Sequence, residues 1–139
     1  MTVGLFINEV GKYLTNLTAT SNICTALGGS LVDNKNLFYA KAPSIATPYL
    51  ALLPYPGGSP DSKDKYNSNC QILIKSKSNY TSLQVGQALI NNLHMNQEVC
   101  ASKHGIVFAD QCQPIPLPPT EGGEWQFCAV NISSKHVRL

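Results

Sequence analysis

The stretch Cys70–His94, CQILIKSKSNYTSLQVGQALINNLH, holds two periodicities back to back. From Cys70 to Ser76 the pattern alternates. Cys70, Ile72 and Ile74 fall on one face, and Gln71 and Lys75 on the other, with Leu73 the exception. That period of two predicts a half-buried strand. From Asn79 to Met95 the period changes to that of a helix. Leu83, Gly86, Ile90 and Leu93 form one stripe flanked by Val85 and Leu89, with Asn79 as the expected cap. A strand that runs directly into an amphipathic helix needs both apolar faces to meet one core, which places the helix on the sheet.

The rest of the chain extends this layout. Val3, Phe6, Ile7, Val10, Tyr13, Leu14 and Leu17 recur at steps of three and four, predicting a first helix that Thr2 can cap and that Gly4 and Gly11 weaken. Residues 18–35 read as a connection with a short turn of helix or a strand near Ile23–Leu27, and Leu37–Ala40 as a short strand. Tyr49–Leu53 is a continuous apolar run, as expected of a strand buried on both faces. After the second helix, Gly105–Ala109 reads as a strand. Pro114, Pro116, Pro118 and Pro119 exclude a helix and a central strand, and Glu121–Gly123 makes a turn. From Trp125 to Ile132 both alternating faces carry apolar residues, which predicts a central strand. The expected order is helix, two strands, long loop, strand, helix, two strands. The fold class is α+β: a small mixed, mainly antiparallel sheet with both helices on one face.

Tyr55–Ser68 is the clearest loop. It contains the turn formers Pro56, Gly57, Gly58, Pro60 and Asp61, and Asp61, Lys63, Asp64 and Lys65 alternate in sign. It exceeds the usual connection of roughly four to six residues. Gly58, Asp61, Lys63, Asp64, Lys65 and Tyr66 are therefore the candidate protein-interface residues.

Composition narrows the classes of function. The 139 residues fit one domain, 1–139. Hydrophobic residues at 43% supply a core, while charged residues at 13% are about half the usual share of roughly 25%. A sparsely charged surface suits contact with other subunits, because burying it strands few charges. The net charge of +2 offers no basic field for nucleic acid. No apolar run approaches the roughly 18 residues of a membrane span. The N-terminal segment has neither a basic region nor an Ala-x-Ala site, so export by the general route is not expected.

Catalytic constellations are missing. The five cysteines, Cys24, Cys70, Cys100, Cys112 and Cys128, have no CxxC spacing and are expected to be reduced and mostly buried. His94 is expected to pair with Glu98 along the helix surface, His104 to lie in a turn and His136 in the tail. No phosphate loop, nucleophile elbow or paired acids appear. The expectation is a non-enzyme with no cofactor and no metal.

The strand at Cys70–Ser76, followed by Tyr80 and a helix carrying Ala88, Ile90, Leu93 and His94, resembles the minor capsid and tail-terminator (neck) proteins of tailed bacteriophages. The N-terminal helix, the strand at Tyr49–Leu53, the Pro/Gly/Asp loop, Pro114–Pro119, Glu121–Glu124 and the last strand with Trp125, Phe127 and Asn131 follow the same order. Lys75 and Lys77 stand where an arginine often accompanies the central strand. The resemblance implies a structural virion protein of the head–tail neck, assembled in the host bacterial cytoplasm. It implies a homohexameric ring that caps the tail tube, stops its growth and joins the head-side connector, with the genome passing through the lumen and no specific nucleic-acid recognition. Its implied partners are itself, the tail tube protein and the connector. The alternative reading is a small α+β binding or regulatory module acting on a soluble partner.

Overall fold

The computed structural model describes residues 3–16, 23, 25, 27, 29–54, 65–99, 105–118 and 124–137. Their elements are α1 (Val3–Thr15), β1 (Leu37–Tyr39), β2 (Tyr49–Pro54), β3 (Lys65–Ser76), α2 (Asn79–Leu93), β4 (Ile106–Ala109), β5 (Ile115–Leu117) and β6 (Gln126–Val137). The strands form one sheet in the order β1-β2-β3-β6-β4, with β5 also paired to β6. Only β1–β2 is parallel; the other pairings are antiparallel. The fold is thus α+β, as the periodicities required.

The core lies between the inner face of the sheet and both helices. Leu50 and Leu52 of β2, Cys70, Ile72 and Ile74 of β3, and Cys128, Val130 and Ile132 of β6 meet Phe6, Ile7, Val10 and Leu14 of α1 and Val85, Leu89, Ile90 and Leu93 of α2. Ile23, Leu27 and Leu31 close the α1 end. A buried leucine or isoleucine of this kind contributes on the order of 2–3 kcal/mol, so this one layer dominates the stability of the fold.

Three local devices set the packing. Gly11 lets α1 lie against β1, because a Cβ there would sit 2.6 Å from Cζ of Tyr39. Gly86 does the same for α2, where a Cβ would fall 2.5 Å from Cγ of Pro114. Between β3 and α2, the buried hydroxyls of Ser76 and Ser82 share a hydrogen bond of 2.5 Å, and Ser76 Oγ donates to Ser78 O at 2.7 Å. This serine cluster turns the chain from strand to helix without leaving its polar groups unpaired.

The structure corrects several expectations. β3 begins at Lys65, so the loop ends earlier than Ser68. Its polar residues Lys65–Asn69 pair with Val137–Ser133 of β6, and the ladder supplies what apolar alternation does not. The cap of α2 is Ser78, whose side chain accepts from Thr81 N, and not Asn79. The buried stripe of α2 is centred on Ser82, Val85, Gly86, Leu89 and Leu93, and Leu83 is half-buried. The helix stops at Leu93. Met95 takes φ 59°, so Glu98 is not on the helix with His94. His94 instead accepts the Ala109 N–H at Nδ1, 3.1 Å away. The proline-rich segment contributes the short strand β5, as a strand beside β6 and not within the main path.

Candidate functional site

The outer face of the sheet follows from the same alternation that built the core. Tyr49, Ala51 and Leu53 of β2, Leu73 and Lys75 of β3, and Phe127 of β6 point away from the helices. Register brings them together: Tyr49 opposes Lys75, and Lys75 opposes Phe127. Phe38 packs edge-on against Tyr49, with ring centroids 5.5 Å apart. Phe38, Tyr49 and Ala51 are buried, with Leu53 and Leu73 packed against them. The sheet therefore carries a second, smaller apolar cluster on the face opposite α1 and α2.

Lys75 sits in the middle of this cluster and is only 5% exposed. Its ammonium donates to the carbonyl of Ile45 and lies 4.5 Å from the Trp125 ring centroid and 5.2 Å from that of Tyr49. Lys77 approaches the same indole at 5.4 Å. Burial lowers the Lys75 pKa below its usual value, and the Glu124 carboxylate partly opposes the shift. Sequence pattern put Lys75 on a solvated polar face. Its long apolar stem and two aromatic faces allow it to be buried instead.

The segment 41–48 forms a wall over this face. Two side chains fasten it: Tyr49 donates through its hydroxyl to Pro43 O at 2.9 Å, and Lys75 holds Ile45 O. Between the wall and the sheet lies a cleft of about 460 Å³, lined by residues 42–46 with Tyr49, Leu73, Lys75, Trp125 and Phe127. Aromatic and aliphatic side chains line it together with the buried Lys75, and Ile45 is exposed beside it.

The candidate loop residues divide. Gly58, Asp61, Lys63 and Asp64 lie outside the described residues. Lys65 and Tyr66 begin β3, opposite Val137 and His136 of β6. The loop thus leads into the β3–β6 ribbon, which continues past the end of β2, where Pro54 pairs with Cys70.

Three of the five cysteines lie among the described residues. Cys70 and Cys128 are free and buried, but Cys112 is free and exposed, and Cys24 and Cys100 lie outside the described residues. Burial pushes the thiols of Cys70 and Cys128 up to about 12, which makes them inert core side chains. Among the described residues no three His, Cys, Asp or Glu side chains converge as a metal site would require, and no helix is long and apolar enough to cross a membrane.

The fold has one sheet face packed against α1 and α2, an outer face with a cleft, and a two-stranded ribbon that runs past the end of β2. Residues 25–132 match the family described as bacteriophage tail terminator protein, and the chain belongs to that family. It is a structural component of the virion tail. A comparison with curated proteins gives no match.

Proposed function

We propose that this chain is a single-domain terminator that assembles as a ring, with six copies the expected number, on the last ring of tail tube subunits. The ring covers the exposed edge of the tube, stops its growth and offers its other face to the head-side connector of the neck. Assembly takes place in the host cytoplasm, and the genome passes through the lumen without sequence recognition. The observation that carries this reading is the family match over residues 25–132. The low charge content supports it, since 13% charged residues leave a surface that strands few charges when subunits close on each other. The loop at Gly58–Asp64, entering β3 at Lys65 and Tyr66, is the proposed contact with the neighbouring subunit or the tube. Its mixed charges set register and orientation more than affinity.

Deleting the gene from its phage and supplying it in trans tests the proposal. Without the protein, tails are expected to lose their uniform length and fail to join heads; with it, infectious particles return. Particles of normal tail length and infectivity in its absence would refute a terminator role.

A further inference from the structure

The outer-face cleft contains a buried cation that no described carboxylate pairs directly. Lys75 meets a carbonyl and two ring faces; the Glu124 carboxylate acts on it only from beyond ion-pair distance, and among the described residues no carboxylate comes closer. Buried charges are ordinarily paired, because removing an ammonium from water costs several kcal/mol that a carbonyl and aromatic faces only partly return. Lys77 adds a second ammonium against the same indole. Beside the cations, Leu73 and Phe127 leave apolar surface at the floor, and Ile45 leaves it at the rim. The cleft is too open to be a closed cavity for a small molecule. It runs between the sheet and the segment 41–48, a shape that suits a length of extended chain.

We propose that this cleft receives an extended, acid-bearing segment of a neighbouring tail polypeptide, with its carboxylate on the Lys75 and Lys77 ammonium groups and an adjacent apolar side chain over Leu73 and Phe127. Charge complementarity selects the occupant: the ammonium groups take an Asp or Glu, and the aromatic floor takes the residue beside it. That the polypeptide is a tail protein rests on the terminator reading; the chemistry of the cleft does not.

Trp125 is the sole tryptophan of the chain, so its fluorescence reports on this cleft alone. The probes are two capped seven-residue peptides, one alternating Leu with Asp and the other Leu with Asn. The Asp peptide is expected to change Trp125 emission saturably and to bind about tenfold tighter than the Asn peptide, the difference expected of a hydrogen bond to a charged group. Lys75→Met, which fills the same space without charge, should sharply reduce the preference, and Lys75→Met with Lys77→Met should abolish it, while circular dichroism shows the fold intact. In the wild-type protein, the ¹⁵N resonance of the Lys75 ammonium should shift with the Asp peptide only, which keeps the test decisive even where the variant does not fold. Equal binding of the two peptides, or an unmoved Lys75 resonance, would overturn the proposal. So would Trp125 emission that changes with protein concentration alone, since a second copy would then fill the cleft. No tail is needed, so a peptide preference with failed capping refutes only the terminator role, and capping without the preference refutes only the cleft.

Discussion

Gly86 is where helix α2 and the proline-rich segment touch, and its lack of a side chain is what permits the contact. A Cβ would meet Pro114 at 2.5 and 2.7 Å, and the proline ring is too stiff to give way. Alanine favours a helix over glycine by about 1 kcal/mol, whereas overpacking costs about 1–3 kcal/mol. Gly86→Ala is therefore expected to destabilise by up to ~2 kcal/mol net, read as a lower urea midpoint; a higher midpoint would show that the Pro114 contact is loose. The thiols give a second residue-scale outcome. Iodoacetamide on the native protein at pH 8 should label the exposed Cys112 and leave Cys70 and Cys128 unlabelled, as peptide mapping would show. Cys70 and Cys128 hold their protons more tightly folded than unfolded, so the stability they confer is full below the unfolded thiol pKa, near 9, and is lost as pH rises toward 12. The urea midpoint should fall between pH 9 and 11, and less steeply in Cys70→Ala. Neither result follows from composition, which marks a cysteine as a small hydrophobe but does not tell an exposed one such as Cys112 from a buried one.

The elements were legible in proportion to their apolar contrast. Both helices and the inner face of β2, β3 and β6 were visible because burial on one side imposes a period. The period does not tell which of two adjacent stripes faces inward: Ser82 and Gly86 are buried where Leu83 is only half so, because the close approach of Pro114 and the serine cluster set the rotation of α2. The first five residues of β3 escaped because a polar ladder leaves no alternation to read, and β5 because a three-residue strand among prolines looks like a turn. Lys75 misled for the opposite reason: a charged residue at an alternating position signals solvent unless the neighbours across the ladder, Tyr49 and Phe127, are known. The core assignment itself is open to a direct check. Leu14, fully buried in α1, and Ile90, 6% exposed in α2, both face the sheet. Leu14→Asp or Ile90→Asp should unfold the protein, since an unpaired buried carboxylate costs several kcal/mol against a total stability of roughly 5–15. A cooperative melt at the wild-type temperature in either variant would mean that the helix packs by another face.

At the scale of the whole molecule, one sheet separates two kinds of surface. Its inner face is consumed by the helices and makes the fold. Its outer face carries the cleft around Lys75, and the β3–β6 ribbon runs beside it past the end of β2; these are the proposed contacts with other polypeptides. Replacing Gly58–Asp64 by a short Gly-Ser linker is expected to leave the melting temperature nearly unchanged, because loop-closure entropy depends weakly on length, and to abolish tail capping in complementation. Uniform tails and normal infectivity with this variant would remove the loop from the site. The terminator role turns on whether the protein closes as a ring on a tube end. Negative-stain microscopy of the purified protein mixed with tail tubes reads this directly. One ring seated at one end of each tube is expected, with no further growth when tube subunits are added. Bare tube ends, or tubes that lengthen in its presence, would contradict it.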